Sequence, residues 1–163
     1  VVDRLLDPYT PEGNPHTVVV PTLDEDIYRL DRYKKGQHWH TIEGAFYFRE
    51  GDWQYVMFSG NCYEKPTYYI GYARAKTNET DLTKISFEKY PDDKTYFPVL
   101  AKNEFEEGTG HHSIIRYKGE YYAVYHARDL DDNRKNTDRR NARICKLHVE
   151  DGIITAERYH NSI

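Results

Sequence analysis

The sequence predicts an all-β chain, a partial β-propeller of four-stranded antiparallel sheets, on three observations. EGAFYFREGDWQYVMFS from Glu43 and HHSIIRYKGEYYAVYHA from His111 repeat one pattern 68 residues apart (111 − 43). Each copy alternates aromatic or β-branched residues with polar ones on either side of a glycine-bearing turn, the mark of a hairpin. No stretch carries the heptads or the 3.6-residue periodicity of a long helix. A strand-rich repeat of this length fits blades around a central axis better than a solenoid of short repeats.

Residues 1–16 contain Pro8, Pro11, Gly13 and Pro15, too many breakers for regular structure. Thr17 to Val20 then supplies a short β-branched run, stopped by Pro21, that reads as the tail of an earlier blade. Leu23 to His40 is polar and mixed, an inter-blade connection with room for one helical turn. Ala45–Arg49 and Trp53–Phe58 form a hairpin about Gly51, Tyr68–Ala73 a third strand, and Ile85–Phe87 an outer one. The second copy has Ser113–Tyr117 and Tyr121–Tyr125 about Lys118-Gly119. A charged, solvated loop from Arg128 to Arg140 follows, then Ala142–Val149, the turn Asp151-Gly152, and Ile153 to Tyr159. Residues 1–42 are thus the end of an earlier blade and a connection, 43–110 one blade and 111–163 the next, in a single partial domain of about three blades. Dividing 163 residues by 68 gives about 2.4 repeats, too few to close a ring. Open blade faces need cover. The missing blades are expected from the same parent chain or another chain, or a homodimer covers the open faces.

Composition narrows the function. Sixteen Tyr, six Phe and two Trp in 163 residues suit amphipathic strands, and the mean hydropathy of −0.92 suits partly wet surfaces. A formal charge of −4 gives no broad electrostatic reason to bind nucleic acid or an anionic membrane. No apolar run reaches the length of a membrane span. The first residues carry neither Met nor a signal-peptide pattern, which reads as an excerpt or a processed chain and favours a cytoplasmic over a secreted location. Cys62 and Cys145 read as small buried strand residues, with a disulfide across blades as the alternative.

Innermost strands line a propeller's channel, so a residue where a blade's first strand begins sits at the mouth of the pocket. Glu43 and His111 both qualify under the 68-residue alignment. A carboxyl group partly desolvated there by Trp39, Phe46 and Tyr47 would have its pKa raised and could act as a general acid.

Ile42-Glu43-Gly44-Ala45-Phe46, the string YVMFSGNCYEKPTYYIGYA from Tyr55, GTGHHS from Gly108, VYHAR from Val124, and Arg140 leading to Asp151-Gly152 together resemble glycoside hydrolase family 43. The resemblance spans about residues 37 to 155. It implies a five-bladed propeller that hydrolyses β-xylosides, α-L-arabinofuranosides or arabinan, of which this chain is the C-terminal part. By the same resemblance Glu43 is the general acid and His111 the axial histidine that helps hold calcium or another ion. Arg140 contacts substrate hydroxyls, with Arg139 and Arg143 competing for that register. Phe46, Phe58, Ser59, Asn61, Tyr125 and His126 line the pocket, and the partner is an oligosaccharide or polysaccharide.

The family's inverting hydrolysis needs a second carboxylate to activate water, about 6.5–9.5 Å from the acid. No Asp here matches that base. Asp24 and Asp26 sit in an acidic run without the expected strand context, so the isolated chain is expected to be inactive. The alternative is a non-catalytic carbohydrate-binding or self-associating module, its tyrosines stacking on sugar rings.

Overall fold

The computed structural model describes residues 1–130 and 139–158. Twelve strands are present among them: β1 (Leu5–Asp7), β2 (Thr10–Pro11), β3 (Ile27–Arg29), β4 (Trp39–His40), β5 (Ile42–Glu50), β6 (Trp53–Gly60), β7 (Tyr69–Lys76), β8 (Glu88–Lys89), β9 (Glu106–Tyr117), β10 (Glu120–Asp129), β11 (Asn141–Glu150) and β12 (Ile153–Ala156). Strands β5–β8 and β9–β12 form two four-stranded antiparallel meanders, each a complete blade. The pairs β1–β2 and β3–β4 are small separate ribbons.

Residues 1–41 therefore contribute no full blade. Thr17–Val20, expected as a strand tail, is irregular, because Pro15 and Pro21 bracket it. The helical turn allowed between Leu23 and His40 is a 3₁₀ turn at Asp24–Asp26. The outer strand of the first blade is Glu88–Lys89 rather than Ile85–Phe87, paired with Arg74 and Ala73. Most of the Arg128–Arg140 loop and the end of the Ile153–Tyr159 strand lie outside the described residues.

The two blades pack face to face. Tyr55, Met57, Ile70 and Tyr72 of the first meet Ile114, Ala123, Cys145, Leu147 and Ile154 of the second, all buried. Burying each aliphatic side chain of this size contributes about 1.5–3 kcal/mol, and the tyrosines add larger areas with a polar tip to satisfy. The Tyr72 hydroxyl accepts from the Ile154 N–H at 3.1 Å. Phe48 tilts against Tyr121 across the interface, centroids 5.3 Å apart, and Tyr121 donates to Glu50 at 2.6 Å. Gly152, which closes β11 to β12, needs to be glycine twice over: its φ is +81°, and a Cβ would lie 2.7 Å from the Trp53 ring.

Two buried charge networks fix the periphery. Asp26, fully buried, accepts from the N–H groups of Thr22 and Leu23, from Tyr69 at 2.5 Å and from Lys89 at 3.3 Å. This ties the N-terminal segment to the first blade. Glu106, also buried, accepts from Tyr125 at 2.9 Å and pairs with Arg143 at 3.4 Å and with Arg158. Both cysteines are buried and free, as the sequence suggested, and burial pushes the Cys145 thiol up to about 11.

Each blade keeps one open face. On the second, Ile115, Tyr117, Val124 and Ile144 are exposed, Ile144 by 63%. On the first, Ile42, Ala45, Tyr47, Val56 and Phe58 line a cleft of about 280 Å³, part-covered by Val18 and Val19.

Candidate active site

The register of the two hairpins differs from the sequence alignment by one residue. Glu50 pairs with Trp53 and Tyr117 with Glu120, Glu43 with Ser59 and Gly110 with His126, so the blades superpose at a spacing of 67 (117 − 50). Aligning Gly51 with Gly119 misled because the turns use glycine differently. The first has one left-handed residue, Gly51, and the second has two in succession, Lys118 and Gly119. The structural counterpart of Glu43 is therefore Gly110, and that of His111 is Gly44.

Both counterparts sit at a β-bulge. Gly44 and Ala45 oppose Phe58 alone, and His111 and His112 oppose Tyr125 alone. Gly44 and His111 are each left-handed, with φ of +61° and +49°, the geometry by which a bulge re-aims a strand's side chains. The two bulges touch across the blade interface. A Cβ on Gly44 would lie 3.4 Å from the His111 Nδ1, and the His111 N–H donates to the Ser59 hydroxyl at 2.8 Å. Because Ser59 is the cross-strand partner of Glu43, the two bulges bring the backbones of Glu43 and His111 close, from positions that are not equivalent in the two blades.

Glu43 is exposed. Its Oε1 accepts from the hydroxyl of Tyr68 at 2.8 Å. The aromatic shell expected from Trp39, Phe46 and Tyr47 has other engagements. Trp39 packs on Tyr28 at 4.7 Å and lies beneath Arg32. Phe46 faces His112 between the blades at 6.4 Å, and the Tyr47 hydroxyl donates to Gln54.

The ring that meets the carboxylate is Tyr68, fully buried and stacked on His126 with centroids 5.7 Å apart and planes at 15°. Burial pushes the Tyr68 phenol up, Ser59 counters part of that rise through a hydrogen bond, and the Glu43 carboxylate adds to it. Tyr68 therefore stays protonated and donates.

The remaining expected residues divide. His126 is half-buried against Tyr68. Arg140 lies on the Tyr63 ring at 4.8 Å, and its charge opposes the rise of the Tyr68 phenol. Arg143 is committed to Glu106 and Asp129, which removes it as a competitor for that place. Phe58 is buried and lines the apolar cleft beside Glu43. Ser59 has no exposed surface and serves the His111 N–H instead of an open pocket. Asn61, with φ of +77°, donates to the Glu25 carbonyl at 2.8 Å and accepts from the Cys62 N–H, holding the loop after β6 to the N-terminal segment. Tyr125 is spent on Glu106.

Tyr68 and Tyr63 were missed as site residues. Both belong to the 61–68 loop and its junction with β7, where neither strand alternation nor spacing tells which way a ring turns.

His111 is exposed, and among the described residues no three His, Cys, Asp or Glu side chains converge as a metal-ligand group. Calcium takes six to eight oxygen ligands. Among the described residues, His111 offers one imidazole to such an ion and no oxygen ligands gather beside it.

The sequence model of the glycosyl hydrolases family 43 matches residues 7–154. No curated protein sequence matches the chain. Among solved structures, a thermostable family-43 glycoside hydrolase is similar at 27% identity and a TM-score of 0.68, covering 94% of this chain and 45% of its own. The α-L-arabinofuranosidase from Lactobacillus brevis shares 18% identity with a TM-score of 0.70, covering 94% and 45%. An α-L-arabinanase from Cellvibrio cellulosa, complexed with arabinohexaose, shares 23% with a TM-score of 0.58, covering 87% and 43%. This chain thus spans less than half the length of each of these proteins, and its two blades are part of the five-bladed propeller that such enzymes form. On the family match and on a fold shared over nearly its whole length, the chain belongs to the glycosyl hydrolases family 43.

Proposed function

We propose that this chain carries the acid half of an inverting glycosidase acting on plant cell-wall β-xylosides or α-L-arabinofuranosides. The observation that supports it most is Glu43: an exposed carboxyl at the start of a blade's first strand, anchored through one oxygen to a buried tyrosine, on a residue whose cross-strand partner Ser59 accepts from the His111 N–H. In this reading Glu43 protonates the glycosidic oxygen as the bond to the anomeric carbon breaks. Arg140, resting on Tyr63, binds sugar hydroxyls.

The base comes from blades outside this chain. Asp26, one of the two upstream acids weighed for that role, is buried under four hydrogen bonds and cannot activate water. The two open blade faces receive those blades, or in the alternative reading a second copy of the chain. Light scattering separates the cases, since a well-folded monomer at micromolar concentration argues against self-association.

A lectin-like role for the tyrosines has less support, because Tyr55, Tyr68, Tyr69, Tyr72 and Tyr125 are consumed by the core.

The test is turnover of nitrophenyl xyloside and arabinofuranoside. The isolated chain is expected to release no nitrophenol, while the completed propeller does. Glu43→Gln abolishes hydrolysis of unactivated oligosaccharides, whose leaving group needs the proton, and leaves their binding nearly unchanged. Turnover by the pure chain, or full activity in Glu43→Gln, overturns the reading.

A further inference from the structure

Resting on the reading of Glu43 as the general acid, we propose that Tyr68 is the residue that positions it. Tyr68 also decides which carboxyl oxygen carries the proton, and it takes its own position from the second blade.

Tyr68 donates to Glu43 Oε1 at 2.8 Å, and the His111 N–H of the second blade donates at 2.8 Å to the hydroxyl of Ser59, the residue paired with Glu43. A phenol has one proton to give, and Tyr68 has no exposed surface, so water does not compete for it.

With Oε1 occupied by a phenol that stays protonated, the proton of the neutral acid belongs on Oε2. A general acid is effective only when the oxygen that holds the proton faces the leaving group within hydrogen-bond reach. Tyr68 meets that requirement by fixing the plane of an otherwise exposed carboxyl.

The ring of Tyr68 is itself held from the second blade. It stacks on His126 and lies over Gly110, where a Cβ would come within 1.8 Å of its Cε1. The Thr109 hydroxyl also donates to its carbonyl at 3.4 Å. Packing of one blade on the next therefore sets the acid of the first.

Substrates that differ in leaving group test this in the completed propeller. In Tyr68→Phe, kcat for a phenyl glycoside, which needs acid assistance, is expected to fall about 10–100-fold. For a dinitrophenyl glycoside, which leaves unaided, it should fall less than about threefold, with oligosaccharide Kd within about twofold. An equal fall for both substrates, or none, overturns the proposal.

Glu43→Gln is the control. If it lacks the same leaving-group dependence, the acid assignment itself fails; if it has that dependence and Tyr68→Phe does not, only the role of Tyr68 fails. Should Tyr68→Phe not fold, hydroxyl-proton exchange of labelled tyrosine decides. The Tyr68 hydroxyl is expected to exchange slowly, and at least about tenfold faster in Glu43→Ala. Equal exchange in the two proteins overturns the proposal.

Discussion

Tyr68 and Gly110 share one space: the ring of the first lies where any side chain on the second would begin, 1.8 Å from its Cβ position. A substitution on one blade is thereby felt at the acid of the other. Gly110→Ala is expected to lower stability by about 1–3 kcal/mol, the usual cost of overpacking. Urea unfolding measures it, and a change below about 0.5 kcal/mol would mean that the ring moves aside freely.

The buried Asp26–Lys89 pair is expected to respond asymmetrically. Asp26→Ala leaves the Lys89 ammonium buried with only Thr22 as acceptor, and should cost about 3–5 kcal/mol. Lys89→Met costs less, about 1–3 kcal/mol, because the carboxylate keeps the Thr22 and Leu23 N–H groups and the Tyr69 hydroxyl. Denaturant midpoints of the two variants compare them directly, and equal losses would count against this account of the network.

High pH should unfold the protein through its core tyrosines. Burial pushes Tyr55 and Tyr72 up to about 12, whereas in the unfolded chain a phenol titrates near 10. Between these values the folded state holds more protons than the unfolded one, so stability is complete below about pH 10 and falls as pH rises toward 12, by about 2–3 kcal/mol for each phenol. Near-ultraviolet phenolate absorbance should therefore show a cooperative rise as unfolding releases the core tyrosines. A single non-cooperative rise would contradict this.

Much of the fold was legible because hairpins declare themselves. Alternation about Gly51 and about Lys118-Gly119 marked β5–β6 and β9–β10, and the repeat marked the blades. Register was not legible to the residue, since it depends on how many left-handed residues a turn uses, and two glycines in different turn positions look alike in sequence. The outer strand slipped from Ile85–Phe87 to Glu88–Lys89 because a 3₁₀ turn at Leu82–Lys84 precedes it. At the site, the sequence aligns Glu43 with His111, whereas the register aligns Glu43 with Gly110. Tyr68 was not legible, because its direction is set by what the second blade leaves open at Gly110, a tertiary fact that no local pattern carries. The family resemblance implies Ser59 and Asn61 in the pocket, whereas in this structure both bind backbone groups.

The most direct measurement is a crystal structure of the completed propeller with an uncleaved xylo- or arabino-oligosaccharide. The account expects the glycosidic oxygen within about 2.6–3.2 Å of Glu43 Oε2, with Oε1 still held by Tyr68 and Arg140 on a sugar hydroxyl. A sugar bound away from Glu43, or a Glu43 that has left Tyr68 to turn elsewhere, would contradict it.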